Sequence, residues 1–249
     1  SGRLHSFLVE ITAAVFTQPD NNSNEKLIDK IADTAHQKGT GAWMSQDAMN
    51  VLAPIPVIDA AVSQRILSSM KKERVAAGVN TTELTISKNV NKEAFASLME
   101  EALFTSFIIT YAQGLAMMQN ASALYTYETD IATVASIWRG GCIIRAGILE
   151  DITTAYRKEP ELKNIMTSEM FAGTLQKQIT AVKTVLKTAI DSGIPVPAYS
   201  ACYNYYESYH SAWLPANLIQ AQRDFFGAHT YERTDSEGTF HTTWNQTIQ

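Results

Sequence analysis

The chain has 249 residues, of which 45% are hydrophobic and 18% are charged, so it carries enough apolar material for a sizeable buried core. It contains 12 Gly and 7 Pro, and its formal net charge is −5. These values argue against collagen-like, disordered and strongly basic classes of protein. We therefore expect a soluble globular protein that does not bind nucleic acid.

Cysteine spacing and hydropathy indicate the cellular compartment in which the protein is expected. Cys142 and Cys202 lack the paired spacing typical of a disulfide scaffold or a zinc site, which favours a reducing, cytoplasmic location without a bound metal. No apolar run approaches the roughly 18 residues that a membrane helix requires, so neither a span nor a signal peptide is expected. The first residue is Ser1 rather than Met, which indicates a processed product or a portion of something longer.

Hydrophobic periodicity predicts helices along nearly the whole chain, whereas strand alternation is hard to find. The first two predicted helices carry apolar stripes at Leu4, Leu8, Ile11 and Val15, and at Leu27, Ile28 and Ile31. The stretch 57–75 fits one helix or two in tandem, with Gly78 as a stop signal.

The longest apolar stretch runs from Asn91 to about Tyr127 and is hydrophobic on several faces. A helix of this kind is expected at the centre of the domain. A second helix, from Ser168 to Ser192, has a continuous apolar stripe and ends at Gly193, so it should pack on the central helix.

The rest of the chain is predicted to be helical up to residue 226. Residues 131–156 form a turn flanked by apolar helix, and a last helical region runs from about Val196 to Phe226. Residues 227–249 are polar with isolated aromatics, so we expect an extended tail whose aromatic rings pack on a partner subunit. The predicted fold is all-α, with a helical domain at 1–226 and this tail.

One segment has the chemistry of an anion site. Residues 37–43 read Gln-Lys-Gly-Thr-Gly-Ala-Trp between two predicted helices. The glycines allow backbone N–H groups to point into one concavity, Thr40 adds a hydroxyl, and Lys38 adds a positive charge. A helix that begins near Ala42 would add its dipole. The alternative is a flexible connecting loop with a solvated lysine.

Further cationic candidates lie far along the chain. Arg65 interrupts an apolar helical run, where it either forms a structural ion pair or binds an anion such as phosphate through its planar fork. Arg223 and His229 flank Gly227, which can end a helix so that both side chains converge on one ligand. The alternative is an exposed arginine at a helix end and a histidine in a tail. Arg139 and Arg145 are interpreted as structural ion-pair partners.

Taken together, four segments resemble the 6-phosphogluconate dehydrogenase family. They are QKGTGAW at 37–43, SSMKKER at 68–74, WRGGCIIR at 138–145, and the long run LPANLIQAQRDFFGAHTY at 214–231. The opening LHSFLVEIT at 4–12 and the closing HTTW at 241–244 also fit, so the resemblance covers nearly the whole chain in order.

The resemblance implies a large all-helical domain, of which this sequence looks like the later part, in a homodimer whose C-terminal tail enters the other subunit. It implies that Lys38, Thr40 and Arg65 hold the 6-phosphate of 6-phosphogluconate, and that Arg223 and His229 reach into the partner's site. NADP is the implied cofactor, bound mainly by an N-terminal domain. No position here matches the family's catalytic lysine or glutamate, so we assign no catalytic residue.

The implied reaction is the oxidative decarboxylation of 6-phosphogluconate to ribulose 5-phosphate and CO2, in the pentose phosphate pathway. This chain would supply phosphate binding and dimerisation, and would be inactive alone. The main alternative is a stand-alone helical dimerisation module without catalysis. A different β-hydroxyacid dehydrogenase is disfavoured, because its substrates usually lack a phosphate for the cations.

Overall fold

The computed structural model describes residues 2–78 and 91–244. The chain divides into two compact units, which span residues 1–205 and 206–249. The helices of the first unit are α1 (Phe7–Thr17), α2 (Thr40–Asn50), α3 (Pro56–Ser69), α4 (Lys71–Gly78), α5 (Lys92–Tyr125), α6 (Ile131–Ile137), α7 (Ile148–Lys158) and α8 (Ala172–Asp191). Helix α9 (Pro197–Tyr209) contains the boundary, and α10 (Ala216–Gly227) lies in the second unit.

The predicted central helix is confirmed as α5. The side chain of Asn91 accepts a hydrogen bond from the N–H of Ala94 and caps its first turn. Helix α5 packs against α8, as expected, and the core contains Ile108, Ile109 and Leu115, which are fully buried. Each such side chain contributes about 1.5–3 kcal/mol on burial.

The structure decides two points about the predicted helices near the start of the chain. The stretch 57–75 is two helices, α3 and α4, separated at Met70. The apolar pair at 27–28 belongs to a 3-10 turn, Leu27–Lys30, so the expected second amphipathic helix is wrong. Lys26 provides no side-chain cap there, and a segment of four residues is too short to form a stable α-helix.

The region 196–226 is also not continuous, because α9 ends at Tyr209 and α10 begins at Ala216. Pro215, which has no N–H to donate, lies immediately before α10. Beyond α10, a short antiparallel pair not expected from the sequence joins β1 (Tyr231–Glu232) to β2 (Thr239–Phe240). No helix within the described ranges has the length and hydropathy needed to cross a membrane.

Candidate functional site

The predicted anion-binding segment, residues 37–43, leads directly into α2. Gly39 has a φ of +96°, a left-handed conformation that glycine adopts without strain. The first helical hydrogen bond runs from the N–H of Trp43 to the Gly39 carbonyl, 2.9 Å away. The N–H groups of Thr40, Gly41 and Ala42 precede that bond, so this helix N-terminus offers donors and a positive dipole end to an anion.

Lys38 and Arg65 are exposed cations that form no ion pair within residues 2–78 and 91–244. The sequence alternative of a structural ion pair for Arg65 is therefore not what the described residues show. By contrast, Arg139 pairs with Glu150, and Arg145 lies 3.9 Å from Glu10, which confirms their structural interpretation.

Two interactions join the segment before α2 to α3 and α4. Asp33 accepts from Lys71 and from Arg74, and these hydrogen bonds lower the pKa of Asp33 to about 2. The backbone N–H of Ala35 donates to Ser68 Oγ over 2.9 Å. The cluster at 71–74 is therefore partly a docking point for this segment rather than only a solvated face.

A third contact lies at the start of α2. A Cβ on Gly41 would lie 2.9 Å from Cγ2 of Val62, so glycine permits a very close approach of α2 to α3. Residues 33–41 thus run antiparallel to α3. Lys38 lies between the contacts at Ala35 and Gly41, and Arg65 lies between their partners at Ser68 and Val62. Lys38, Thr40 and Arg65 therefore lie on two segments that pack against each other, and their convergence on one anion stays a prediction.

Arg65 also lines a cavity of about 350 Å³ in the first unit. Ala35 and Ser68 border the cavity, and Tyr199 at the start of α9 closes another side. Burial raises the pKa of the Tyr199 hydroxyl, which therefore stays a neutral hydrogen-bonding group. The Arg65 side chain thus borders an open cavity and has no carboxylate partner in the described chain.

In the second unit, one buried carboxylate organises the tail. Asp224 Oδ1 accepts from the N–H of Thr230 at 2.9 Å and lies 2.8 Å from His241 Nδ1. Its Oδ2 accepts from the N–H of Thr242 at 3.1 Å and from Trp244 Nε1 at 2.8 Å. Burial alone would raise the pKa of Asp224, but these hydrogen bonds outweigh it and lower the pKa to about 2.

The tail aromatics consequently contact their own unit. The rings of Trp244 and Phe225 are 5.8 Å apart, and those of Tyr231 and Phe240 are 6.3 Å apart. These contacts lie within one unit and do not test the expectation that a partner subunit supplies a surface for the rings, which stays a prediction. The polar tail has too few apolar residues to form a core, and the hydrogen bonds to Asp224 hold it together instead. This role of Asp224 was not predicted from the sequence. The signal that could have indicated it was a single carboxylate between Arg223 and two phenylalanines.

Arg223 and His229 lie at the end of α10 and are linked through Gln220. Arg223 Nη1 donates to Gln220 Oε1 at 3.3 Å, and Gln220 Nε2 donates to the carbonyls of His229 and Thr230. A Cβ on Gly227 would lie 2.7 Å from the His229 ring, so this glycine allows the ring to lie against the helix end. Both predicted site residues are exposed and share one edge of this unit.

These features define an all-helical domain in which the α2 N-terminus presents backbone N–H donors and a C-terminal tail is organised by Asp224. The family model described as the 6-phosphogluconate dehydrogenase C-terminal domain matches residues 1–244, so the chain belongs to the 6-phosphogluconate dehydrogenase family.

Curated relatives agree with that assignment. The NADP(+)-dependent, decarboxylating 6-phosphogluconate dehydrogenase of Bacillus subtilis is 47% identical over 98% of this chain and 52% of its own length. A decarboxylating 6-phosphogluconate dehydrogenase from Synechococcus elongatus is 46% identical, over 97% of this chain and 52% of its own length. The chain therefore spans about half the length of the curated relatives it matches.

A solved structure of 6-phosphogluconate dehydrogenase from Plasmodium falciparum has the same fold, with a TM-score of 0.94 at 37% identity. The match covers 98% of this chain and 52% of that one. Structures of that protein have been determined in its apo form, in complex with its cofactor NADP+ and in complex with its substrate 6-phosphogluconate.

The first prediction concerns the contact between α2 and α3. Gly41→Ala places a methyl group against Val62 and should destabilise the protein by about 1–3 kcal/mol, measured by denaturant unfolding. Gly173→Ala is the matched control, because a Cβ there meets nothing within 4 Å. It should be neutral or stabilising by up to about 1 kcal/mol. Equal stabilities for the two variants would show that α2 does not depend on this close approach.

The second prediction concerns acid sensitivity of the tail. The pKa of Asp224 in the folded chain, about 2, lies below its ordinary value of 3.8. Its contribution to stability is therefore complete above pH 3.8 and is lost as the pH falls through 2. The Trp244 indole N–H resonance should move toward its unfolded position in that range.

Asp224→Asn should loosen the tail already at neutral pH, because its amide N–H group faces donors rather than acceptors. The control, Asp235→Asn, removes only an exposed partner of Arg233 and should leave the Trp244 resonance in place. A native Trp244 resonance in Asp224→Asn would disprove the organising role of this carboxylate.

Proposed function

We propose that this chain is the substrate-phosphate-binding and dimerising part of an NADP-dependent, decarboxylating 6-phosphogluconate dehydrogenase. The observation that carries the proposal is the position of Lys38 and Arg65. These cations lack carboxylate partners in the described chain, and they lie on the two segments whose packing presents the α2 N-terminus. The relatives that match the chain supply the identity of the anion.

The charges suit the phosphate of 6-phosphogluconate. A phosphate monoester is close to dianionic at neutral pH, and the proposed ligands offer two or more full positive charges and several N–H donors. Lys38 and Arg65 bind the phosphate oxygens, Thr40 donates its hydroxyl, and α2 contributes its N-terminal N–H groups. Such charge-assisted hydrogen bonds contribute about 1.5–3 kcal/mol each.

In the proposed enzyme, Arg223 and His229 come from the other subunit and complete the phosphate site. Both are exposed on one edge of the second unit, where Gln220 orients Arg223 and the backbone of His229. The site then forms only in a dimer. This arrangement is the tail exchange that the sequence resemblance implies.

The role of this chain in the reaction is to hold the substrate. Binding energy from a remote phosphate positions the reacting carbons and excludes misaligned poses. NADP supplies the oxidising chemistry when bound. The chain has no Gly-x-Gly-x-x-Gly sequence, and we assign none of its residues to the cofactor. On this proposal the 249 residues alone do not turn over 6-phosphogluconate.

An exposed apolar face supports dimerisation through the second unit. Leu218, Ile219 and Phe226 on α10 are 60–72% exposed, and Trp213 just before it is 62% exposed. Large apolar side chains grouped in this way are typical of a protein interface. We also propose a cytoplasmic location, which rests on the cysteine usage described above.

The third prediction tests the phosphate ligands in an enzyme reconstituted from this chain and the amino-terminal half of the Bacillus subtilis relative. Lys38→Met and Arg65→Met should each raise KM for 6-phosphogluconate about 10- to 100-fold, with a smaller change in kcat. Lys72→Met removes an exposed lysine of α4 and should leave KM unchanged. The readout is NADPH formation.

If the wild-type assembly forms but makes no NADPH, the alternative of a helical dimerisation module is favoured. A KM that does not change in Lys38→Met or Arg65→Met would remove that residue from the phosphate site.

The fourth prediction tests the dimer surface. Ile219→Lys should weaken the dimer on the order of 10- to 100-fold, because a charge replaces an apolar side chain at the proposed interface. Ile190→Lys, at a residue of similar exposure on α8, should leave the dimer intact. Sedimentation equilibrium measures both. A wild-type dissociation constant for Ile219→Lys would contradict this interface.

A further inference from the structure

An apolar groove of about 490 Å³ lies in the first unit and is separate from the proposed phosphate ligands. Four elements besides α5 contribute apolar side chains to its walls, among them Leu8, Met44, Ile58, Trp138 and Ile143. Leu8 and Ile143 are 45% and 67% exposed, so the groove is open in the described part of the chain.

The floor of the groove is one face of α5. Phe107, Tyr111, Gly114 and Met118 line it, at the spacing with which one helix receives another. The buried residues Ala112 and Leu115 lie on other faces of the same helix, which packs on α8. A helix that is apolar all round is normally covered all round, so this half-buried face is suited to another apolar element.

Gly114 lies in the middle of that face. Glycine inside a helix is unfavourable relative to alanine, so its presence calls for a packing reason. A Cβ at Gly114 would meet only Met44 Cε, at 3.9 Å, and otherwise the space above it is open. The missing side chain allows a second backbone to cross α5 closely at this point.

The first described residues run beside one wall of the groove. The carbonyl of His5 accepts from the N–H of Gly147 at 2.8 Å, and the N–H of Phe7 donates to the Arg145 carbonyl at 3.1 Å. The Arg3 guanidinium lies 5.1 Å from the Phe104 ring centroid, one turn before the groove on α5. Any chain that precedes these residues therefore enters at this end of the groove.

We propose that the groove binds an apolar-faced helix from the amino-terminal half of the longer enzyme, which crosses α5 at Gly114. The occupant is argued from the relatives, because the chain covers only 52% of the Bacillus subtilis protein and matches a C-terminal domain model. From Phe107 to Met118 the face is about 16 Å long, which accommodates about three helical turns. This inference rests on the proposed function, because that function supplies the missing half.

The test compares thiol labelling in the 249-residue chain and in a fusion with the amino-terminal half of the Bacillus subtilis relative. Met118→Cys reports on the groove, and Leu124→Cys, at a 58% exposed site on the same helix, is the control. Both are made with Cys142→Ser; Cys202 is buried, and burial raises its pKa to about 11, so it stays unreactive.

In the fusion, labelling of Met118→Cys should slow on the order of 100-fold, while Leu124→Cys is unchanged. Equal rates at Met118→Cys in both proteins would overturn the proposal. Protection already present in the 249-residue chain would also overturn it, since another part of the chain or a second copy would then fill the groove.

A second variant keeps the test independent of folding of the fusion. Gly114→Leu fills the groove, and it should weaken binding of the separate amino-terminal half on the order of 100-fold. Gly173→Leu, at an exposed helical glycine, should bind as the wild type does. Tight binding by Gly114→Leu would refute the groove, whereas protection or binding without NADPH formation would refute only the proposed function.

Discussion

The close antiparallel packing of residues 33–41 on α3 is the constraint on which the proposed site depends. Asp33 fixes one end through Lys71 and Arg74, but these groups are largely exposed, and exposed ion pairs stabilise little. The contact between Gly41 and Val62 excludes a side chain, and it sets the distance between α2 and α3. Because that distance positions the α2 N-terminus relative to Arg65, the geometry of the proposed anion site follows from backbone packing.

The second unit holds a polar tail together without a hydrophobic core of its own. One carboxylate, Asp224, accepts hydrogen bonds from residues 6, 17, 18 and 20 positions away. This arrangement closes the tail onto α10 while it leaves Arg223 and His229 exposed. Both properties, a fixed shape and exposed side chains at Arg223 and His229, suit the proposed action of this segment on another subunit.

Helices with strong periodicity were predictable, and the clearest case is α5, whose long apolar run predicted its central position. The structure adds that Asn91 caps its first turn. The 3-10 turn at Leu27–Lys30 was not predictable, because three apolar residues mimic a helix face without the length to sustain one. The break at 210–215 was also missed, although Pro215 was a local signal for it.

For the site, sequence patterns identified cations by type and by family resemblance, and the structure adds that the segments carrying Lys38 and Arg65 pack against each other. Asp33, Ser68 and Asp224 were missed, because their roles depend on partners far away in the sequence. Their positions follow from tertiary packing, which single-sequence periodicity does not encode. The apolar groove over Gly114 was also not predictable from the sequence. A face of α5 can be identified as exposed only once the positions of the neighbouring elements are known.

The central claim is that Lys38 and Arg65 of one subunit share a phosphate with Arg223 of the other. Mixing reconstituted Lys38→Met and Arg223→Met enzymes tests it directly, at a 6-phosphogluconate concentration near the wild-type KM, where each variant alone is severely impaired. If Arg223 acts across the dimer, one site in each mixed dimer is intact, and about a quarter of the wild-type activity returns after subunit exchange. If exchange is complete and no activity returns, Arg223 does not serve the partner's site, and the account is contradicted.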